Sequence, residues 1–184
     1  MTYANVNIDQ VLQFGSDDDD VSFAPLGTAL PTDLTTLDPA FKEIGLINED
    51  GLQFSPSDSV DKRKGHQGHR VYKTVMTESD TAFSFVALQS NLQTLGLQWK
   101  VLESKKTGTV STHKLSNARD VLAQAICIRA RANGHKYLWA CSRYEIGERK
   151  EFKLSATEDT AYQIEGTFTS DVIFITDDPA YAPA

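Results

Sequence analysis

Few residues in this chain are of a type that does chemistry, and their spacing limits what they could do. His66-Gln67-Gly68-His69 offers two imidazoles three apart, and His113 is a third. Zinc needs three or four ligands held on firm elements, whereas this pair sits among glycines. Asp17 to Asp20 is a run of four carboxylates. Calcium wants several converging oxygens, but adjacent Asp side chains diverge and the EF-hand spacing is missing. These carboxylates repel one another and belong in solvent or opposite cations. The sequence contains no nucleophile elbow, zinc-ligand set or phosphate-binding glycine loop. No catalytic residue, metal or cofactor is therefore assigned, and the chain reads as a non-enzyme.

Cys127 and Cys141 are the only cysteines in 184 residues, too few for a disulfide framework. They flank Asn133-Gly134, a hairpin signal. A two-residue turn sets Cys127 against Ala140, whereas a three-residue turn with a bulge sets it against Cys141. Both are read as free thiols, because a cross-strand bridge is strained. The sequence shows no positive, apolar leader and no apolar run able to span a bilayer, so folding in a reducing cytoplasm is expected.

The net charge is −7, from 25 Asp and Glu against 18 Lys and Arg. A DNA reader concentrates basic residues on one face to neutralise phosphate, and this balance argues against one. The cations gather instead in residues 55–70, as Lys62, Arg63, Lys64, His66, His69 and Arg70. With Pro56, Gly65 and Gly68 and no apolar period, this segment reads as a long polar loop. A merely solvated loop and an inter-subunit loop both fit it.

The elements that would position these residues are mostly β. Residues 1–20 read as an N-terminal arm, 21–176 as a single domain and 177–184 as a tail. Within the arm, Ala4 to Phe14 is apolar enough to dock on this subunit or a neighbour. Val21 to Gly27 reads as a strand that Pro25 confines to an edge or a strand end. Asn48-Glu49-Asp50-Gly51 reads as a hairpin turn, and Glu78-Ser79-Asp80 as a turn between strands. Ser90 opens a helix to about residue 100, with Ser90 and Gln93 as its capping box and Leu88, Leu92, Leu95 and Trp99 as its packing stripe. Strands follow over Thr109–Leu115, Val121–Ala132 and His135–Glu145, then at Phe152 and Leu154, Tyr162–Thr169 and Val172–Ile175. The expected class is mainly β, a β-sandwich or open barrel of two packed sheets with one flanking α-helix.

The run Ala24-Pro25-Leu26-Gly27-Thr28-Ala29, then Pro31-Thr32-Asp33-Leu34, Leu37 to Phe41, Gly45 to Phe54 with its Glu49-Asp50-Gly51 turn, and Asn91 to Leu97 follow one another in a distinctive order. This layout resembles the major tail proteins, or tail tube proteins, of long-tailed non-contractile bacteriophages, especially those infecting actinobacteria. The resemblance implies the tail tube fold and a structural subunit that forms stacked hexameric rings around a DNA-conducting lumen. The partners it implies are the chain itself, a tail tip or initiator complex, a tape measure protein and a tail terminator. Viral DNA would pass without specific binding, and no membrane is involved. The place implied is the virion tail, after assembly in the host cytoplasm. It also implies that the loop at Lys62 to Arg70 contacts the adjacent ring, with Asp17, Asp18, Asp19 and Asp20 as candidate partners. Glu43, Glu49 and Glu165 are candidates to face the lumen. A tail terminator or connector, the tube of a phage-like particle, and a small non-catalytic β-barrel binding module remain as alternatives.

Overall fold

The computed structural model describes residues 7–183. Ten strands and one helix run in the order β1 (Asp20–Ala24), β2 (Lys42–Glu43), β3 (Ile47–Lys64), β4 (Val71–Ala87), α1 (Leu92–Gln98), β5 (Lys100–Thr107), β6 (Val110–Ser116), β7 (Leu122–Ala132), β8 (His135–Ile146), β9 (Tyr162–Phe168) and β10 (Val172–Thr176). Eight strands make one sheet ordered β2-β1-β7-β8-β9-β4-β3, with β10 also on β8, while β5 and β6 form a separate hairpin.

The large sheet makes a sandwich by curling over itself. Four strand intervals separate β1 from β4, about 19 Å in a flat sheet. Yet the rings of Phe23 on β1 and Phe85 on β4 lie 6.2 Å apart, with Tyr144 of β8 6.0 Å from Phe23. These rings join Val21, Ile44, Ile126, Ile128 and Ile164 in the main core. The curl has a topological cause: the two edge strands, β2 and β3, are consecutive in the chain. Between them Ile44 N–H donates to Val21 (2.9 Å), and Leu88 N–H donates to Leu46 (2.9 Å), so one short stretch bridges the β1 and β4 sides. The barrel stays open, and the expected mainly β sandwich with a single α-helix is the fold found.

The opposite face of β1, β7 and β8 carries Ala125, Cys127, Leu138 and Ala140, covered by Leu30, Leu34, Leu37 and Phe41 of the connection after β1. Asp33 fastens that connection by accepting from Thr35 N (2.7 Å) and Thr36 N (2.6 Å). The backbone and hydroxyl hydrogen bonds of Thr35 hold its carboxyl at about 2.

Strand β8 is a fork. Tyr144 and Glu145 pair with β9, whereas Tyr137 to Cys141 pair with β10. Asn133-Gly134 makes the two-residue turn, with Ala132 opposite His135, so Cys127 faces Ala140. Both cysteines are free and buried. Burial pushes the Cys127 thiol up to about 12. At pH 8 on the order of one thiol in ten thousand is then thiolate, the reactive form. The folded protein should leave Cys127 unlabelled by a disulfide-exchange reagent at pH 8, and urea should release it. Rapid labelling of Cys127 without denaturant would contradict this placement.

Several expectations change. Residues 55–64 are strand, not loop, because β3 and β4 stay paired from Ile47–Ala87 out to Lys64–Val71. A strand solvated on both faces has no apolar period to detect. The true turn is 65–70, closed by Gly65 N–H to Arg70 (2.9 Å). Glu78-Ser79-Asp80 is no turn but lies within β4 opposite Ser57 to Ser59. Asn48 to Gly51 is not a hairpin turn: the register jumps from Ile47–Ala87 to Leu52–Phe85, leaving these residues as a bulge, with Gly51 at φ 75. Such a bulge uses the same left-handed glycine as a turn, so the signal is shared.

The helix is capped by Asn91 with Thr94 rather than by Ser90 with Gln93, and it buries Thr94, Leu97 and Gln98. Leu92, expected to pack, is exposed. Strand β5 was hidden behind the expected helix end. Phe152 and Leu154 lie outside any strand, with Phe152 against Tyr162 and Leu154 in solvent.

Candidate functional site

Two features stand out from the compact body: an arm and a cleft. The arm is the outer part of the β3–β4 hairpin. Strand β9 supports β4 only from Ala82 to Ala87. Beyond that, from Pro56–Thr81 to Lys64–Val71, the two strands pair only with each other. Nine residues at strand spacing make this ribbon about 30 Å long.

Paired residues across an antiparallel ladder share a face. Val60 opposes Met76 and Lys62 opposes Thr74, so one face bears Val60, Met76 and, two residues on from Thr74, Tyr72. These three are 48%, 55% and 69% exposed. The charges split along the length. Asp58, Glu78 and Asp80 lie near the body, while Lys62, Arg63, Lys64, Arg70 and Lys73 lie toward the tip with His66 and His69, and with Asp61, which is 3.8 Å from Arg63. All six predicted tip residues are exposed. Among the described residues no three His, Cys, Asp or Glu side chains group as metal ligands.

The cleft, of about 1200 Å³, opens where the curled sheet fails to close. The N-terminal segment forms one wall, the bulge of β3 another, and the β7–β8 hairpin the floor. Its floor is aromatic. Phe14 meets Tyr137 edge-on at 5.4 Å, and Phe54 lies 5.6 Å from Trp139. Its lips are acidic, comprising Asp17 to Asp20, Glu43, Glu49 and Asp50, against Arg129, Arg131 and Lys136.

The cations on this cleft are largely committed. Arg129 bonds Asp20 (2.9 Å) and Glu43 (2.8 Å), and Arg131 bonds Asp18 (2.6 Å). Asp20, which also accepts from Ser22, is buried rather than solvated. Asp17, Glu49 and Asp50 have no cation partner among the described residues. Glu165 is not part of this surface; it lies on β9, 3.3 Å from Lys150. The structure thus brings Glu43, Glu49 and the Asp run together, and places the basic tip at the far end of the arm.

The described part of the N-terminal arm docks on its own subunit. Asn133 Nδ2 donates to Val11 O (3.2 Å), and Phe14 covers Tyr137. The expected docking segment begins at Ala4, and its Ala4 and Val6 lie outside the described residues. At the other end of the chain, Tyr137 donates to Asp178 (2.5 Å) and Lys136 N–H to Asp177 (2.7 Å). These bonds tie the C-terminal segment down and hold both carboxyls below the usual range.

A model of the phage tail tube protein family matches residues 18–178. The chain belongs to the phage tail tube protein family. No curated protein matches it. As a tail tube protein it is a structural component of the virion tail, built to assemble with itself and with other tail parts. Two features of this tube protein escaped the sequence reading: the apolar face of the arm and the aromatic floor of the cleft. The alternation Tyr72, Thr74, Met76 was the available signal for the first. For the second no local signal exists, since Phe14, Phe54 and Trp139 meet only through the fold.

Proposed function

We propose that this chain is the repeating subunit of the tail tube, six copies to a ring, with rings stacked around a lumen that conducts the genome during ejection. The observation that carries the reading is the arm. A two-stranded ribbon exposed on both faces is marginal in water by itself, and in an assembly it finds a second surface. Its length of about 30 Å carries the tip well clear of the body, which suits a bond between rings. The basic tip residues Lys62, Arg63, Lys64, His66, His69 and Arg70, and the acidic run Asp17 to Asp20, are the proposed inter-ring contacts.

Glu43, Glu49 and Glu165 are the proposed acidic groups of the lumen. A net charge of −7 favours a bore that repels phosphate, so that DNA slides rather than binds. A tip complex would start assembly in the host cytoplasm, a tape measure protein would fill the growing tube, and a terminator would close it.

Negative-stain electron microscopy of the concentrated protein should show hollow rings or tubes with six-fold end views. A chain that stays monomeric even when co-expressed with its tail tip complex overturns the reading.

A further inference from the structure

We infer that the open cleft binds an aliphatic polyamine, with the methylene chain lying on the aromatic floor and the ammonium groups held by the unpaired carboxylates of the lips. The site is complete within one subunit and does not depend on the tube reading. Three observations carry it.

The first is charge. The cleft holds seven carboxylates against three cations, an excess of four negative charges around one opening. Arg129 is neutralised by Asp20 and Glu43, and Arg131 by Asp18. Asp17, Glu49 and Asp50 remain without a cation partner among the described residues. Such a surface repels phosphates and other anions and attracts cations. Its carboxylates are too scattered for a metal ion, since among the described residues no three acidic, His or Cys side chains group as ligands. A hard ion needs converging oxygens, whereas a chain with spaced ammonium groups can meet separated ones.

The second is the floor. Trp139 lies between Phe54, 5.6 Å away, and Phe14, 6.4 Å away, and all three rings line the cleft. Phe14 and Phe54 are 44% and 38% exposed. Ammonium groups are attracted to the faces of such rings, and aliphatic stems lie flat along them. A basic peptide fits this floor less well, because its backbone N–H and C=O groups would meet rings that offer them no partner.

The third is an unmet acceptor. Asn48 lines the cleft, and its Nδ2 donates to Asp50 at 2.6 Å, which fixes the amide orientation. Its Oδ1 is buried and has no hydrogen-bond partner among the described residues. An ammonium N–H supplies the missing donor beside the carboxylate that would balance its charge.

The test is calorimetric titration of the full-length, unassembled chain with spermidine, a trication, at low salt. Binding should saturate. Asp17→Asn with Glu49→Gln and Asp50→Asn should weaken it about tenfold or more. The control triple Glu151→Gln, Glu158→Gln and Asp159→Asn removes as much charge outside the cleft and should leave it unchanged. All six positions are exposed, so both triples should keep the wild-type melting temperature.

A second measurement needs no mutation. The chain has two tryptophans, so the indole N–H signals of Trp99 and Trp139 can be followed together by NMR. Spermidine should move that of Trp139 and leave that of Trp99, which lies under Arg119 away from the cleft. Saturable binding that the cleft triple alone weakens, with the Trp139 shift, supports the inference. No saturable binding at millimolar spermidine, equal weakening by both triples, or a still Trp139 signal overturns it.

Discussion

Replacing residues 58–79 with Asn-Gly yields a folded monomer that builds no tube. The excision joins Ser57 to Asp80, which already face each other across the ladder, by the two-residue turn that antiparallel strands prefer. Nothing in the removed ribbon reaches the core: the buried residues of this hairpin are Phe83, Phe85 and Ala87, with Leu52 packed against them. Surface segments of this kind cost little to remove, so the melting temperature should move by no more than about 3 °C. Assembly, in contrast, should disappear at every concentration reached, because the arm holds all six proposed tip contacts and the apolar face together. Thermal unfolding by circular dichroism and electron microscopy of the same sample decide the matter. Normal tubes from the shortened chain would remove the arm from any role in stacking.

The second large effect lies in the core. Gly166→Val should destabilise the fold by about 3 kcal/mol or more, a fall in melting temperature of roughly 10 °C. Gly166 lies on β9 between Phe83 of β4 and the Tyr144 side chain, whose ring crosses its Cα position. A Cβ built there comes 2.6 Å from Tyr144 Cζ and closer still to the Glu145 carbonyl, which is backbone and has nowhere to go. The ring cannot step aside cheaply either. Tyr144 is fully buried and donates to the Phe83 carbonyl at 2.7 Å. Displacing it strands a buried hydroxyl and a buried carbonyl, at about 1–3 kcal/mol each. Tyr144→Phe, which keeps the ring and loses the hydroxyl, should cost roughly 1–2 kcal/mol and provides the comparison. A Gly166→Val chain melting with the wild type would show that β9 has more room than its contacts indicate.

How far the sequence could be read depended on which physical signal each element left in it. Asn133-Gly134 forced a hairpin because few residues accept positive φ at both turn positions; here Asn133 is at 50 and Gly134 at 84. Tyr162 to Phe168 alternates because one face, Ile164, Gly166 and Phe168, is buried. The order of pieces from Ala24 to Leu97 carried the family resemblance. The first strand of the arm left no such trace: it is held by backbone hydrogen bonds, and Ser57, Ser59, Asp61 and Arg63 face water whichever way they point, so hydrophobic period says nothing there.

The bulge at Asn48 to Gly51 was misread for the opposite reason: its signal was real but shared by two structures. The cleft was hidden most deeply. Its walls come from residues 14–20, 43–54 and 129–139, and no local pattern links segments so distant in the chain. The charges of the site were visible individually, and only the sheet's curl shows that seven carboxylates share one opening.

The placement of the arm's root also bears on mechanics. A pull on the tip runs parallel to β4, and β4 is anchored to β9 through six consecutive residue pairs, Ala82–Thr167 to Ala87–Tyr162. Tension along the strand therefore loads those bonds in shear, all together, instead of peeling them one after another as a pull across the strand would. The tip, by contrast, is a short exposed turn, and the contact proposed for it is made by side chains rather than by a strand ladder. In a tube held by such contacts, the weak point under stretching or bending would be the bond between subunits, which can reform, and not the anchorage within a subunit, which would need refolding. A filament of that kind would yield at its joints and recover its shape.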